Sequence, residues 1–207
     1  MRTWNRTGTV VFTGDSVTDC GRLGDPHGLG DGFVALLAAS PPLHRVRVLN
    51  RGISGDRVRD LRGRWERDVL DESPAAVSIM IGINDVWRRY DNDDPTSVDD
   101  FTEDYRFLLA SLRAADISAI LCEPILMPAT AAQEGWREDL DPKIAIIHDL
   151  AREFDATLVP THTALNARRP AGSTGLAPDG VHPSDAGHAA IAEVWLAHVL
   201  NDIEGER

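Results

Sequence analysis

The sequence predicts an α/β fold built on a five-stranded parallel sheet. Short β-branched runs alternate with segments of helical period, the pattern of strands joined by crossover helices. Hydrophobic residues make up 43% and charged residues 26% of the 207 positions, an ordinary mix for a packed globular chain. Five strands and five helices account for the length without linker, repeat or low-complexity tract, so one domain over residues 1–207 is expected.

The elements follow in order. Thr9 to Thr13 reads as the first strand, and 33–39 as a short apolar helix. A second strand is expected at 46–50. Val58, Leu61, Trp65 and Val69 then recur at helical spacing and give the next helix one buried face. That helix lies in a segment with eight arginines between Arg45 and Arg67, interleaved with Asp56, Asp60, Glu66 and Asp68. The interleaving predicts a solvated charged face and not an anion site. The third strand is placed at 77–81, and a helix at 98–115 turns Phe101, Tyr105, Leu108 and Leu112 inward. A fourth strand at 119–123 precedes a helix at 142–154, where Pro142 suits a first turn. The fifth strand is 157–159, and Ser184 is a good N-cap for a last helix carrying 189–200. Residues 124–141 and 169–178 are left as long irregular segments, of the kind that are often functional.

Charge narrows the partners. Lys plus Arg total 21 against 33 Asp plus Glu, a net −12, which repels phosphate backbones and anionic lipid and so argues against nucleic acid or a membrane surface. Such a surface suits a neutral substrate. Cys20 and Cys122 are too few for a disulfide framework. The apolar run 10–13 is too short for a secretory signal, and the longest, around 75–83, is far below the roughly 20 residues of a membrane span. A cytoplasmic location is expected. Twenty of the 21 basic residues are Arg, with Lys143 the exception, a bias that coding explains more cheaply than function.

Four segments carry candidate chemistry. The first strand ends in Gly14-Asp15-Ser16, the second in Asn50-Arg51-Gly52, and the third in Gly82-Ile83-Asn84-Asp85. Asp179-Gly180-Val181-His182 stands just before the last helix. Each alone is also ordinary turn chemistry. Together they place Ser16, Gly52, Asn84, Asp179 and His182, from distant parts of the chain, at the carboxyl edge of one sheet, where open α/β folds bind ligands. The combination is what acyl transfer needs. Ser16 is a weak nucleophile unless a base takes its proton. His182 can do that while Asp179 holds the other ring nitrogen. Three donors are expected for the developing oxyanion: the Ser16 N–H, a Gly52 N–H free to face the ligand, and the Asn84 side-chain amide.

At these residues the chain resembles the SGNH hydrolases, or GDSL esterase/lipase family. The matching blocks are Gly14-Asp15-Ser16-Val17-Thr18-Asp19, Gly52, Gly82-Ile83-Asn84-Asp85 and Asp179-Gly180-Val181-His182-Pro183. The resemblance is closer still to the intracellular serine acetylxylan esterases, through 14–22, 52–55 with 58–61, and 77–88; it is dense over 11–91 and 179–188. It implies a flavodoxin-like three-layer α/β/α sandwich, catalytic Ser16, Asp179 and His182, oxyanion donors Ser16, Gly52 and Asn84, no cofactor and no metal. It implies hydrolysis of O-acetyl esters on xylo-oligosaccharides or related sugars, by a homo-oligomer. One departure is Pro178, where the acetylxylan esterases carry an aromatic residue before the aspartate.

Other readings stay open beside this one: a longer-chain acyl esterase or thioesterase of the same family, and a glycan-binding protein that has lost catalysis. Asp15, Trp87 and Pro178 are candidate substrate contacts, with turn capping the alternative for Asp15. Trp87 and Trp136 could offer flat faces to a sugar ring, or simply pack. Cys20 reads as a packed thiol and not as a second nucleophile.

Overall fold

The computed structural model describes Trp4, residues 7–168 and residues 175–201. Its sheet comprises β1 (Thr9–Gly14), β2 (Arg47–Asn50), β3 (Ala76–Met80), β4 (Ser118–Cys122) and β5 (Thr157–Val159). The strands lie in the order β2-β1-β3-β4-β5 and every pairing is parallel, the flavodoxin-like order. Around it run α1 (Ser16–Asp19), α2 (Phe33–Ala38), α3 (Val58–Asp68), α4 (Ile83–Asn92) and α5 (Val98–Ala114). They are followed by α6 (Ala131–Glu134), α7 (Arg137–Phe154), α8 (Thr161–Arg168) and α9 (Asp185–Asn201).

Alternation along the strands builds the three layers. Val10 and Phe12 point to one face with Ala76, Met80, Ile120 and Cys122, and meet Phe33 and Leu37 of α2 and Ile191 and Trp195 of α9. Val11, Val77, Ile79 and Leu121 point to the other, against Leu61 and Trp65 of α3, Phe101 and Leu108 of α5 and Ile147 of α7. Each of the Val, Leu, Ile, Phe and Met side chains contributes about 1.5–3 kcal/mol on burial. Ser78, a buried polar residue on the first of these faces, accepts a hydrogen bond from Trp195 Nε1 at 3.0 Å. A third, smaller cluster of Ile83, Val86, Leu126, Trp136, Leu140 and Val181 sits beyond the sheet edge and ties α4, α7 and the 179–182 loop together.

The expected strands stand within a residue or so of the observed ones. Four expectations are corrected. Five helices were expected, but α1, α4, α6 and α8 stand beside them among the described residues, because each follows a strand exit or a loop too closely to show a period of its own. Pro142 lies inside α7 and not in its first turn, because buried Leu140 and Trp136 hold the earlier turn in place. Its missing N–H leaves the carbonyl of solvent-exposed Glu138 without an intrahelical donor. The irregular segment 124–141 shrinks accordingly, since it contains α6 and the start of α7. Of the other, 169–178, residues 169–174 lie outside the described residues. Finally, the arginine-rich segment is not wholly a solvated face. Arg64 is buried and donates to Gly14 O at 3.1 Å, Arg51 O at 2.7 Å and Asp56 Oδ2 at 2.6 Å, tying the exits of β1 and β2 to α3. Arg57 is buried against Asp94.

Candidate active site

The exits of β1, β2 and β3 meet at one shoulder of the sheet. After β1 the chain turns at Asp15, whose side chain caps α1 by accepting the Val17 N–H at 3.0 Å. Ser16 is therefore the first residue of a helix, a position whose N–H has no intrahelical acceptor. After β2, Asn50 is the hub: its Nδ2 donates to Thr18 O at 2.6 Å and Leu29 O at 2.8 Å. Its Oδ1 accepts the Gly52 N–H at 2.9 Å. That contact corrects the expectation that the Gly52 N–H is free: the asparagine two residues earlier folds back over it. Gly52 is nonetheless required by sterics, because a Cβ there would lie 2.3 Å from Asp19 N. Beyond β3, Asn84 falls in the first turn of α4, buried; its Nδ2 donates to Asp56 O at 3.0 Å, and its second amide hydrogen has no partner among the described residues.

The 179–182 loop closes the site from the other side. Ser16 Oγ lies 2.9 Å from His182 Nε2, and His182 Nδ1 lies 2.6 Å from Asp179 Oδ2. The carboxylate assigns the ring proton to Nδ1, leaving Nε2 as acceptor toward the hydroxyl. Asp179 Oδ1 also accepts the backbone N–H groups of Val181 at 2.9 Å and His182 at 2.7 Å. Partial burial works to raise the Asp179 pKa, but these three hydrogen bonds outweigh it and hold the carboxyl below its ordinary value. The structure thus brings Ser16, His182 and Asp179 together as one chain of hydrogen-bonding groups, with Asn84 buried at the exit of β3, the strand beside β1. The arrangement is competent for acyl transfer.

A family model described as GDSL-like lipase/acylhydrolase matches residues 12–190, which include every one of these residues. The chain belongs to that family. It is a carboxylic ester hydrolase.

Among its relatives is an acetylxylan esterase of Geobacillus stearothermophilus, 38% identical over 204 residues that cover 92% of this chain and 93% of the relative. The crystal structure of that organism's acetylxylan esterase Axe2 superposes with a TM-score of 0.83 at 36% identity, covering 92% of this chain and 93% of the other. LAE5, an α/β hydrolase from the metagenome of Lake Arreo in Spain, superposes with a TM-score of 0.85 at 31% identity, covering 95% and 97%. Structures described as catalytic mutants of Axe2 replace a serine, an aspartate and a histidine, the last two three positions apart. Asp179 and His182 have that spacing. A further Axe2 mutant replaces a tryptophan immediately before the aspartate, where this member of the family has Pro178, which is exposed.

The remaining candidates divide. Trp87 is half-buried beside the site, its ring centroid 5.9 Å from that of His182. Trp136 is packed behind it, 5.6 Å from Trp87 and stacked on Tyr90, and offers no free face. Asp15 does not reach a substrate surface: it is 1% exposed, and burial, reinforced by Asp85 and only partly offset by the Val17 N–H, pushes its pKa to about 7. Asp85 is equally buried; burial lifts it to about 7 against the Val58 N–H and the charge of Lys143. Cys20 contacts Asp31 Oδ1 at 3.1 Å and His188 Nε2 at 3.3 Å, and burial with the Asp31 carboxylate pushes its thiol up to about 12, so it stays protonated.

Sequence reasoning missed three supporting residues: Asn50, Arg64 and Gln133. Asn50 left a local signal, an asparagine two positions before a glycine at a strand exit. Arg64 was hidden among neighbouring arginines, and Gln133 in a segment without periodicity.

Proposed function

We propose that the chain is a serine esterase that removes acetyl groups from sugars of the xylo-oligosaccharide type through an acetyl-enzyme on Ser16. The observation that carries the reading is the unbroken contact from Ser16 Oγ through the His182 ring to Asp179, at 2.9 and 2.6 Å. The acetyl specificity is supported by the 38% identity to an acetylxylan esterase over most of both chains.

In this reading Ser16 Oγ attacks the acetyl carbonyl while His182 Nε2 takes its proton. Negative charge collects on the carbonyl oxygen, which the Ser16 N–H and the second hydrogen of the Asn84 amide stabilise. The Gly52 N–H joins as a donor shared with Asn50 Oδ1. Collapse of the intermediate breaks the ester C–O bond, and His182 passes its proton to the departing sugar hydroxyl. A water molecule then gives a proton to His182 and attacks the acetyl carbon; acetate leaves and Ser16 recovers its proton. Asp179 holds the imidazolium that forms twice in each cycle. Trp87 walls the ring on one side, and Pro178 stands at the rim, where it leaves more open space than a tryptophan.

The test is hydrolysis of p-nitrophenyl acetate and acetylated xylose, followed by a p-nitrophenyl series from acetate to octanoate. The expected result is turnover of both acetyl substrates, fastest at acetate, and loss of activity in Ser16→Ala by about 10⁴-fold or more. Equal rates in the two proteins would remove Ser16 as the nucleophile, and a rate rising toward octanoate would overturn the acetyl assignment.

A further inference from the structure

The Asp179–His182 loop is exposed on its outer side, with the two side chains 52% and 44% accessible, so side-chain burial does not fix their orientation. Its backbone is instead held from behind by residues 126–133. Gln133, in α6 and 9% exposed, donates from Nε2 to Asp179 O at 2.8 Å and accepts the Ala129 N–H on Oε1 at 2.8 Å. Both ends of its amide are therefore satisfied and its orientation is fixed. Gly180 lies flat against it: φ there is +91°, and a Cβ would stand 2.6 Å from Gln133 Oε1 and 2.9 Å from Nε2. The Met127 N–H adds a 2.7 Å bond to Gly180 O. This brace is itself anchored on α8, since the Leu126 N–H donates to His162 Nδ1 at 3.2 Å and Asn166 Nδ2 donates to Leu126 O at 3.1 Å.

We infer that Gln133 is a positioning residue for the reaction: it fixes the Asp179–Gly180 peptide so that the Asp179 carboxylate meets His182 Nδ1. The inference rests on the esterase reading of Ser16 and His182, but its geometry stands independently of the substrate. Gln133 touches no reacting atom. It acts through the turn, and loss of its amide lets the Asp179 carbonyl and the glycine beside it rotate toward solvent. Misplacement of this kind falls on the rate of the chemical step, because the Asp–His contact matters most when the imidazolium forms, and leaves ground-state binding nearly unchanged.

The experiment compares wild type, Gln133→Ala and Gln133→Glu by steady-state kinetics on p-nitrophenyl acetate, with thermal melts to establish folding. It adds proton NMR of the low-field imidazole N–H, assigned by its disappearance in Asp179→Ala. In Gln133→Ala, kcat is expected to fall about tenfold with KM within about twofold, and the low-field resonance to broaden or vanish in a protein that still melts cooperatively. Gln133→Glu cannot donate to Asp179 O when ionised and can when protonated, so its rate relative to wild type should rise as pH falls. In an Asp179→Ala background, Gln133→Ala should cost less than about twofold, because the group it positions is gone. An unchanged kcat and an unchanged resonance in Gln133→Ala would overturn the inference, as would the same fractional loss with and without Asp179. A wild type that hydrolyses no ester would sink the esterase reading instead, and the resonance would still decide the role of Gln133.

Discussion

The two sides of the site are built on opposite principles. The Ser16 side is buried: Asp15 and Asn84 are 1% and 3% exposed, and Asn50, Arg64 and Asp56 close hydrogen bonds among the exits of three adjacent strands. The His182 side is exposed and hangs on one loop, with its own carboxylate as an internal tie and the 126–133 segment as an external brace. A buried shoulder derives its precision from packing and satisfied polar groups. An exposed loop must take its precision from a neighbour, which makes it the easier half to move and the easier half to vary.

That contrast can be broken by mutation. The largest expected effect after Ser16→Ala is Asp179→Ala, which removes the carboxylate that orients His182 and should lower kcat by about 10³–10⁴-fold. KM should hold, and the melting temperature should change little because the group is half-exposed. Asn84→Ala strikes the buried side and should lower kcat by about 10²–10³-fold. It also leaves the Asp56 carbonyl without its donor, so a measurable loss of stability should accompany it. If Asp179→Ala destabilised the fold more than Asn84→Ala, the comparison would be wrong.

How far each side was legible follows from the same physics. Short β-branched runs such as Val10-Val11-Phe12, alternating with segments of helical period, pointed to the sheet, and the strand exits pointed to Ser16, Gly52 and Asn84, because a parallel sheet delivers its loops to one edge. The helix α4 was not legible: Ile83 and Val86 continue the apolar run of β3 across a single glycine, and strand and helix merge in the pattern. Gln133 and Arg64 were not legible either, since each acts through a contact with distant backbone that local periodicity cannot encode. The Asn50 contact to the Gly52 N–H is an intermediate case, local in sequence but visible only once the turn is built.

The buried side also carries the pH signature. Asp85 has a folded pKa of about 7 against an ordinary 3.8, so its protonated form stabilises the fold at low pH, and that contribution is lost as pH rises through the window toward 7. In Asp85→Asn the loss is absent. The unfolding free energy of the variant relative to wild type, followed by denaturant melts, should therefore climb from about pH 4 to about pH 7 and then level off, a difference on the order of a few kcal/mol at most. A flat difference across that window would show that Asp85 is ionised throughout in the folded protein.

In the proposed reaction the Ser16 hydroxyl is the group that becomes acylated. Reaction with a fluorophosphonate, followed by intact-mass measurement and peptide mapping, tests it most directly. One adduct per chain is expected on the peptide containing Ser16, slowed strongly in Asp179→Ala and absent in Ser16→Ala. An unlabelled wild type, or an adduct that persists when Ser16 is replaced, would contradict it.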